Sequence, residues 1–264
     1  MKKLLSLILL SFIFLTGCSF NKKELSDYEK IIERDILIVG VRDDAKPFGY
    51  LNPRTNEYEG FDIDIAKNIA LDLLGNKRKI KFVAIDSSNR IEKLMAEEID
   101  IIVATMSNTP QRSFLIDFSK PYHIAGQTAL VKKDSDIHTF SDLKKKTTIV
   151  VLGSTTESNI RRIIPTIRIV GYRNYQKAFD AFEEGKGDAI SADDGILIGL
   201  TMGRKNKDYR LLKNRISKEL YSVGIRKSEN NNKLKNNINM TIIRMTKDGT
   251  LRELKEKWNL SSRT

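Results

Sequence analysis

Apolar positions along the chain fall into two kinds of run. Short apolar stretches rich in β-branched residues, at 36–41, 80–85, 100–104, 127–131, 148–152, 168–171, 188–191 and 222–225, predict strands. Several are continuously apolar, as strands buried on both faces of a parallel sheet should be. Between them, apolar residues recur at helical spacing. Asp62 is placed to cap a helix in which Ile65, Ile69 and Leu73 share a face, and Gly75 to stop it. Ser87-Ser88-Asn89 offers caps for a helix carrying Ile91, Leu94 and Met95, and Thr109-Pro110 pairs a cap with proline at the first helical position. Ser154-Thr155-Thr156-Glu157 has the spacing of a capping box. The segment 177–184 sets Ala178, Ala181 and Phe182 on one side, and helices near 231–246 and 248–258 close the chain. Strands alternating with helices predict an α/β fold. No internal repeat or low-complexity tract interrupts the pattern.

The first residues follow a different logic. Lys2 and Lys3 precede an apolar run over 4–15 broken only by Ser6 and Ser11. That run falls short of the roughly 20 residues a membrane span needs and reads as the apolar region of a signal peptide. It ends in Leu15-Thr16-Gly17-Cys18, which resembles the bacterial lipobox. The resemblance implies cleavage after residue 17, lipid on Cys18 and a polar tether over 18–34. The protein is then expected outside the cytoplasm, anchored to the cell membrane by lipid. No later segment has the length of an apolar span. Cys18 is the only cysteine, which excludes an intramolecular disulfide and a cysteine-rich zinc site. With two histidines, no metal site is expected.

Charge alters the picture less than its size suggests. Among 264 residues, 46 basic against 34 acidic give +12, and 40% are hydrophobic, enough for a packed core. The basic residues are scattered among acidic ones. The densest clusters, Lys144-Lys145-Lys146 and Arg204-Lys205-Asn206-Lys207, are short and lack interleaved aromatics, so they read as solvated loops and no nucleic-acid partner is expected. Proximity to an anionic membrane, or collection of anionic solutes, fits the excess as well.

Polar residues cluster just after predicted strands: Arg42 and Asp43, Arg90, Thr105 and Ser107, Ser154, Thr155 and Thr156, and Asp193. In open α/β sheets the ligand crevice lies outside the carboxyl ends of the strands. Arg112 stands in the first turn of the helix opened by Thr109-Pro110, where the helix dipole disfavours a cation, and Arg90 has the same problem after Ser88-Asn89. A partner anion removes that cost, and guanidinium matches a carboxylate bidentately. Together with Arg42 they read as an anion trap. Asp193 and Asp194 supply the opposite charge for an ammonium group, and either also suits the N-cap of a helix over 196–202. Phe48, Tyr50 and Tyr175 suit an aliphatic ligand chain or ordinary core. Helix cap and first turn explain Asp62 and Asp64 better than acid–base or metal roles. His123 and His138 lie in no catalytic pattern, and no phosphate-binding, hydrolase or zinc-protease motif occurs.

The stretches Gly60-Phe61-Asp62-Ile63-Asp64-Ile65-Ala66, Asp100 to Arg112, Phe118-Ser119-Lys120-Pro121-Tyr122, Gly153-Ser154-Thr155-Thr156-Glu157, Gly187 to Asp193 and Glu256-Lys257-Trp258 together resemble the bacterial extracellular solute-binding proteins of family 3, which serve amino-acid ABC importers. The resemblance implies the type II periplasmic-binding-protein fold: two α/β lobes joined by crossing strands near 127–131 and 222–225. Lobe 1 would comprise 35–127 and 222–264, and lobe 2 128–221. It further implies that Arg112 holds an α-carboxylate, helped by Ala104, Thr105 and Ser107 and by the loop carrying Ser154, Thr155 and Thr156. Asp193 would hold the α-ammonium, with Phe48 and Tyr175 against the ligand. A monomer delivering solute to permease subunits, without cofactor or catalysis, is the expected function. Members that take acidic amino acids are similar in carrying basic residues at the positions of Arg42 and Arg90. Two such cations facing a neutral side chain would be buried without partners. L-glutamate or L-aspartate is therefore the expected ligand. Glutamine, or a dehydratase-type enzyme on the same fold, is the alternative; for the enzyme, only Asp193 or Asp43 offers a spare carboxylate.

Overall fold

The computed structural model describes residues 25–202 and 208–260. The Cys18 lipobox and the cluster Arg204-Lys205-Asn206-Lys207 lie outside these described residues. Ser26 opens helix α1 (Asp27–Arg34) with a closed capping box: its hydroxyl accepts the Glu29 amide, and the Glu29 carboxylate accepts the Ser26 N–H. The sequence reads 18–34 as a tether, and the structure corrects this over α1. Ile31 is fully buried. The Asp27 carboxylate accepts from Arg226 at 2.8 and 3.1 Å, and the Asp27 amide donates to Asn231 Oδ1 at 3.0 Å, so α1 is clasped to the body.

Chain order then runs β1 (Leu37–Val41), β2 (Asp44–Ala45), β3 (Gly49–Asn52), β4 (Glu57–Glu59), α2 (Phe61–Leu74), β5 (Ile80–Ala84), α3 (Arg90–Met95), β6 (Ile101–Ile102), α4 (Pro110–Leu115) and β7 (Ile116–Ala125). After Gly126 come β8 (Gln127–Lys132), β9 (Thr147–Val151), α5 (Thr156–Ile163), β10 (Arg168–Tyr172), α6 (Tyr175–Glu183), β11 (Ala189–Asp193), α7 (Asp194–Thr201) and β12 (Tyr209–Leu211). The chain closes with β13 (Glu219–Arg226), α8 (Asn232–Lys247) and α9 (Thr250–Lys257).

Two five-stranded mixed sheets result, ordered β5-β1-β6-β13-β7 and β10-β9-β11-β8-β12, with a small antiparallel sheet β2-β3-β4 beside the first. Each sheet is the centre of one lobe. The chain leaves lobe 1 at the β7–β8 junction, and β13 brings it back. Its return falls three residues before 222, because Glu219 already pairs with Ala125 of β7. The helices α8 and α9 pack on lobe 1 after the return, with Leu234, Ile238 and Met245 fully buried.

Predicted and observed strands overlap closely at β1, β5 and β9. The strands β2, β3, β4, β7 and β12 have no predicted counterpart. They are short or polar, and β7 carries Lys120 and Pro121 and meets β13 across register shifts. Two predicted caps are corrected. Gly60, not Asp62, precedes α2: its φ is +137°, and a Cβ there would lie 2.0 Å from the Phe48 carbonyl oxygen, so only glycine fits. At 154–157 no capping box closes. The N-cap is Thr155 without a side-chain cap bond, and the Ser154 hydroxyl donates instead to Val151 O at 2.6 Å.

Candidate ligand cleft between the lobes

Lobe 1 contributes guanidinium groups. Arg42 follows β1 and is 1% exposed. It forks onto Asp44, Nε to Oδ1 at 2.8 Å and Nη2 to Oδ2 at 2.7 Å, while Nη1 reaches Ser87 Oγ at 3.1 Å. Arg90 opens α3 and is buried; Nη1 donates to Ala104 O at 2.9 Å, and Nε has no partner. Burial, then the nearby Arg112 and Arg42 charges, push the Arg90 pKa well down. Arg112 sits in α4, whose N-cap Thr109 accepts the Arg112 amide through its hydroxyl. Its Nη1 donates to Ser107 O at 2.9 Å, and Nη2 crosses to Gly153 O of lobe 2 at 3.1 Å. Burial lowers the Arg112 pKa too, against the opposing pull of Glu219 and Asp193.

Between these arginines the chain adopts an uncommon backbone. Thr105 has φ +47°, a left-handed conformation that costs a β-branched residue on the order of 1–3 kcal/mol. Its N–H donates to Asp62 Oδ2 at 2.7 Å, and Tyr122 OH donates to Asp62 Oδ1 at 3.0 Å. Burial pushes the Asp62 carboxyl up to about 6. Asp62 therefore holds the Thr105 loop rather than capping α2.

Lobe 2 contributes a carboxylate and hydroxyls. Asp193 ends β11 and is 6% exposed. Tyr221 OH of the returning strand donates to its Oδ2, and Oδ1 is buried without a partner. Burial first, then the Glu219 charge, push the Asp193 carboxyl up to about 7. Gln127 Nε2 donates to Thr155 Oγ1 at 2.8 Å, and Thr155 Oγ1 donates to Glu219 Oε2 at 2.8 Å. Asn159 Nδ2 completes the mesh at Gln127 Oε1 and Glu219 Oε1, 2.8 and 3.0 Å away. Thr156 is buried at the start of α5. The Tyr175 ring faces the Arg42 guanidinium, 5.0 Å from centroid to carbon. Phe48 packs in an aromatic cluster with Phe61, His123 and Tyr221, centroids 5.3–6.3 Å apart, and against Gly195 of α7. Burial pushes His123 down to about 3, so it is neutral and part of that core. Tyr50 stands outside this group, donating to Glu59 at 2.6 Å.

The lobes touch. A Cβ on Gly153, at φ +75°, would lie 2.7 Å from Ser87 O, and one on Gly199 of α7 would lie 1.8 Å from Lys46 O. At one mouth of the cleft, a cavity of about 640 Å³ is lined by Arg112, Ser154, Thr155, Asn159 and Glu219, within the size range of small-molecule sites. The structure thus brings Arg42, Arg90, Ala104, Thr105, Ser107, Arg112, Ser154, Thr155, Thr156, Tyr175 and Asp193 to facing walls. It corrects one premise: Arg42 is not a cation without a partner, because Asp44 neutralises it. Among the described residues no His, Cys, Asp or Glu cluster could hold a metal ion, and no helix is long and apolar enough to cross a membrane.

The model of the bacterial extracellular solute-binding proteins, family 3, matches residues 37–261. The chain belongs to that family. It is 41% identical over 239 residues to the glutamine-binding protein of Geobacillus stearothermophilus, covering 84% of this chain and 90% of that one. To the ABC transporter glutamine-binding protein GlnH of Bacillus subtilis it is 39% identical over 270 residues, 98% of this chain and 97% of the relative. Among solved structures, the cysteine-binding protein of Campylobacter jejuni superposes with TM-score 0.83 at 30% identity, covering 89% and 93% of the two chains. The two-lobe type II fold is thereby shown. Sequence reading of this family 3 protein missed Asp44, Gln127, Asn159, Glu219 and Tyr221. Only Asp44 carried a signal: Arg42-x-Asp44 on extended backbone puts both side chains on one side.

Proposed function

We propose that this family 3 protein captures an L-amino acid by closing its lobes and passes it to an ABC permease, and that the amino acid is glutamine. Arg112 takes the α-carboxylate and the open Asp193 oxygen takes the α-ammonium, charge-assisted bonds on opposite walls. The observation that carries the choice of side chain is the Arg42–Asp44 fork. It removes one of the cations that favoured an acidic ligand, and Glu219 adds buried negative charge nearby. The relatives at 41% and 39% identity, both glutamine-binding proteins, support the same choice. One observation favours an acidic ligand as the second reading: Arg90 Nε is buried without a partner.

Ligand that bridges both walls shifts the population toward the closed form, and no bond is made or broken. Calorimetric titration with the twenty amino acids tests the reading. Glutamine is expected to bind tightest, with glutamate and aspartate weaker. Silent glutamine beside tight glutamate selects the second reading, and silence toward all of them rejects amino-acid capture. The lipobox supports anchoring through Cys18; a fatty-acid label is expected on the wild type and not on Cys18→Ser, and a wild type that takes no label would refute a lipid anchor.

A further inference from the structure

Asp44 does more than pair with Arg42. One carboxylate serves both lobes: Oδ1 and Oδ2 take the Arg42 fork, and Oδ2 also accepts the Tyr175 N–H at 2.6 Å, at the N-terminus of α6 in lobe 2. Arg42 and Asp44 side chains are 1% and 5% exposed, so the pair is screened little by water. The Tyr175 ring under Arg42 is itself buried and lies within electrostatic reach of Asp193 and Arg90. Arg42 therefore borders the region where the other cleft charges meet. With the Arg42 charge cancelled and Arg112 assigned to the α-carboxylate, Arg90 is the cleft arginine left for a side-chain carboxylate. Were Asp44 neutral, Arg42 and Arg90 would stand side by side, the charge a side-chain carboxylate requires.

We propose that Asp44 determines the charge selectivity of the cleft, masking Arg42 so that a neutral side chain is preferred, and that through the Tyr175 amide the same carboxylate ties this masking to lobe closure. The inference rests on the reading that the ligand is an amino acid with an amide side chain.

Asp44→Asn separates charge from shape, since asparagine Oδ1 can still accept the Tyr175 N–H. Wild type, Asp44→Asn and the double variant Arg42→Gln/Asp44→Asn are titrated by calorimetry with glutamine and with glutamate. The ratio of glutamate to glutamine affinity is expected to rise at least tenfold in Asp44→Asn and to return to the wild-type value in the double variant. An unchanged ratio, or a rise that survives removal of Arg42, overturns the proposal. Should Asp44→Asn fail to fold by circular dichroism, Arg42→Gln tests the claim from the other side: unmasking Asp44 lowers the ratio at least tenfold, and no change is a refutation. A wild type that takes glutamate over glutamine refutes the glutamine reading while the ratio change still judges Asp44. Silence of wild type and variant toward both ligands overturns both.

Discussion

On the lobe 1 wall, Arg42, Arg90 and Arg112 rest on acceptors of their own lobe: Asp44, Ala104 O and Ser107 O. On the lobe 2 wall, Asp193 has one oxygen on Tyr221, which returns to lobe 1, and the other on nothing. The first wall rests mainly on its own lobe, and lobe 2 adds Gly153 O at Arg112 and the Tyr175 N–H at Asp44. The second wall is finished only by what lies between the two. This difference teaches an order of events. On the proposed function, ligand would dock its carboxylate on preset guanidinium donors, and closure would then deliver Asp193 to its ammonium. Preset donors give affinity because little ordering is left to do on binding. Burial pushes the Asp193 carboxyl up to about 7, so a bound ammonium would favour its ionised form.

Removing one charge from each wall breaks the comparison most sharply. Arg112→Met is expected to cost about 1,000-fold in amino-acid affinity, on the order of 4 kcal/mol for a buried charge partner. Asp193→Asn should cost about 100-fold, since asparagine still accepts one hydrogen bond. Their pH profiles should differ in kind. The ammonium needs ionised Asp193, and protonation competes with it, so affinity is present above pH 7 and falls by about tenfold per pH unit below it. Asp193→Asn removes that slope, whereas Arg112→Met keeps it. Calorimetry between pH 5.5 and 8 reads both. A flat wild-type profile, or a slope that persists without the Asp193 carboxyl, would show that Asp193 does not titrate against ligand.

The two walls were also unequally legible in the sequence. Arg112 and Arg90 stood out because each is a cation in the first turn of a helix, where local physics disfavours it. The parallel strands β1 and β9 stood out because they lie inside their sheets, mostly buried, and their runs are almost wholly apolar. The Asp62 role was not legible: its partner Thr105 is 43 residues away, and a first-turn aspartate looks like a cap. Glu219 was hidden for the same reason, meeting Thr155 across 64 residues at the polar start of a strand whose apolar signal begins later. Such groups become visible only when the fold brings them together, because nothing in their own neighbourhood is strained or unusual.

Contact between the walls gives a smaller and more selective test. Gly199 lies within α7, and its missing Cβ is what lets the helix approach Lys46 O of lobe 1. A methyl group 1.8 Å from that oxygen cannot be accommodated with the lobes closed. With the lobes apart the clash is gone, and alanine suits a helix interior better than glycine by about 1 kcal/mol. Gly199→Ala should therefore hold or raise the ligand-free melting temperature while weakening amino-acid binding by about tenfold or more, the cost of a depleted closed population. Calorimetry beside thermal unfolding reads the two effects on one sample. A variant that melts earlier without ligand would point to damage inside lobe 2. One that binds as well as wild type would show that this glycine contact plays no part in closure, leaving the Asp44 and Arg112 bridges to hold the lobes together.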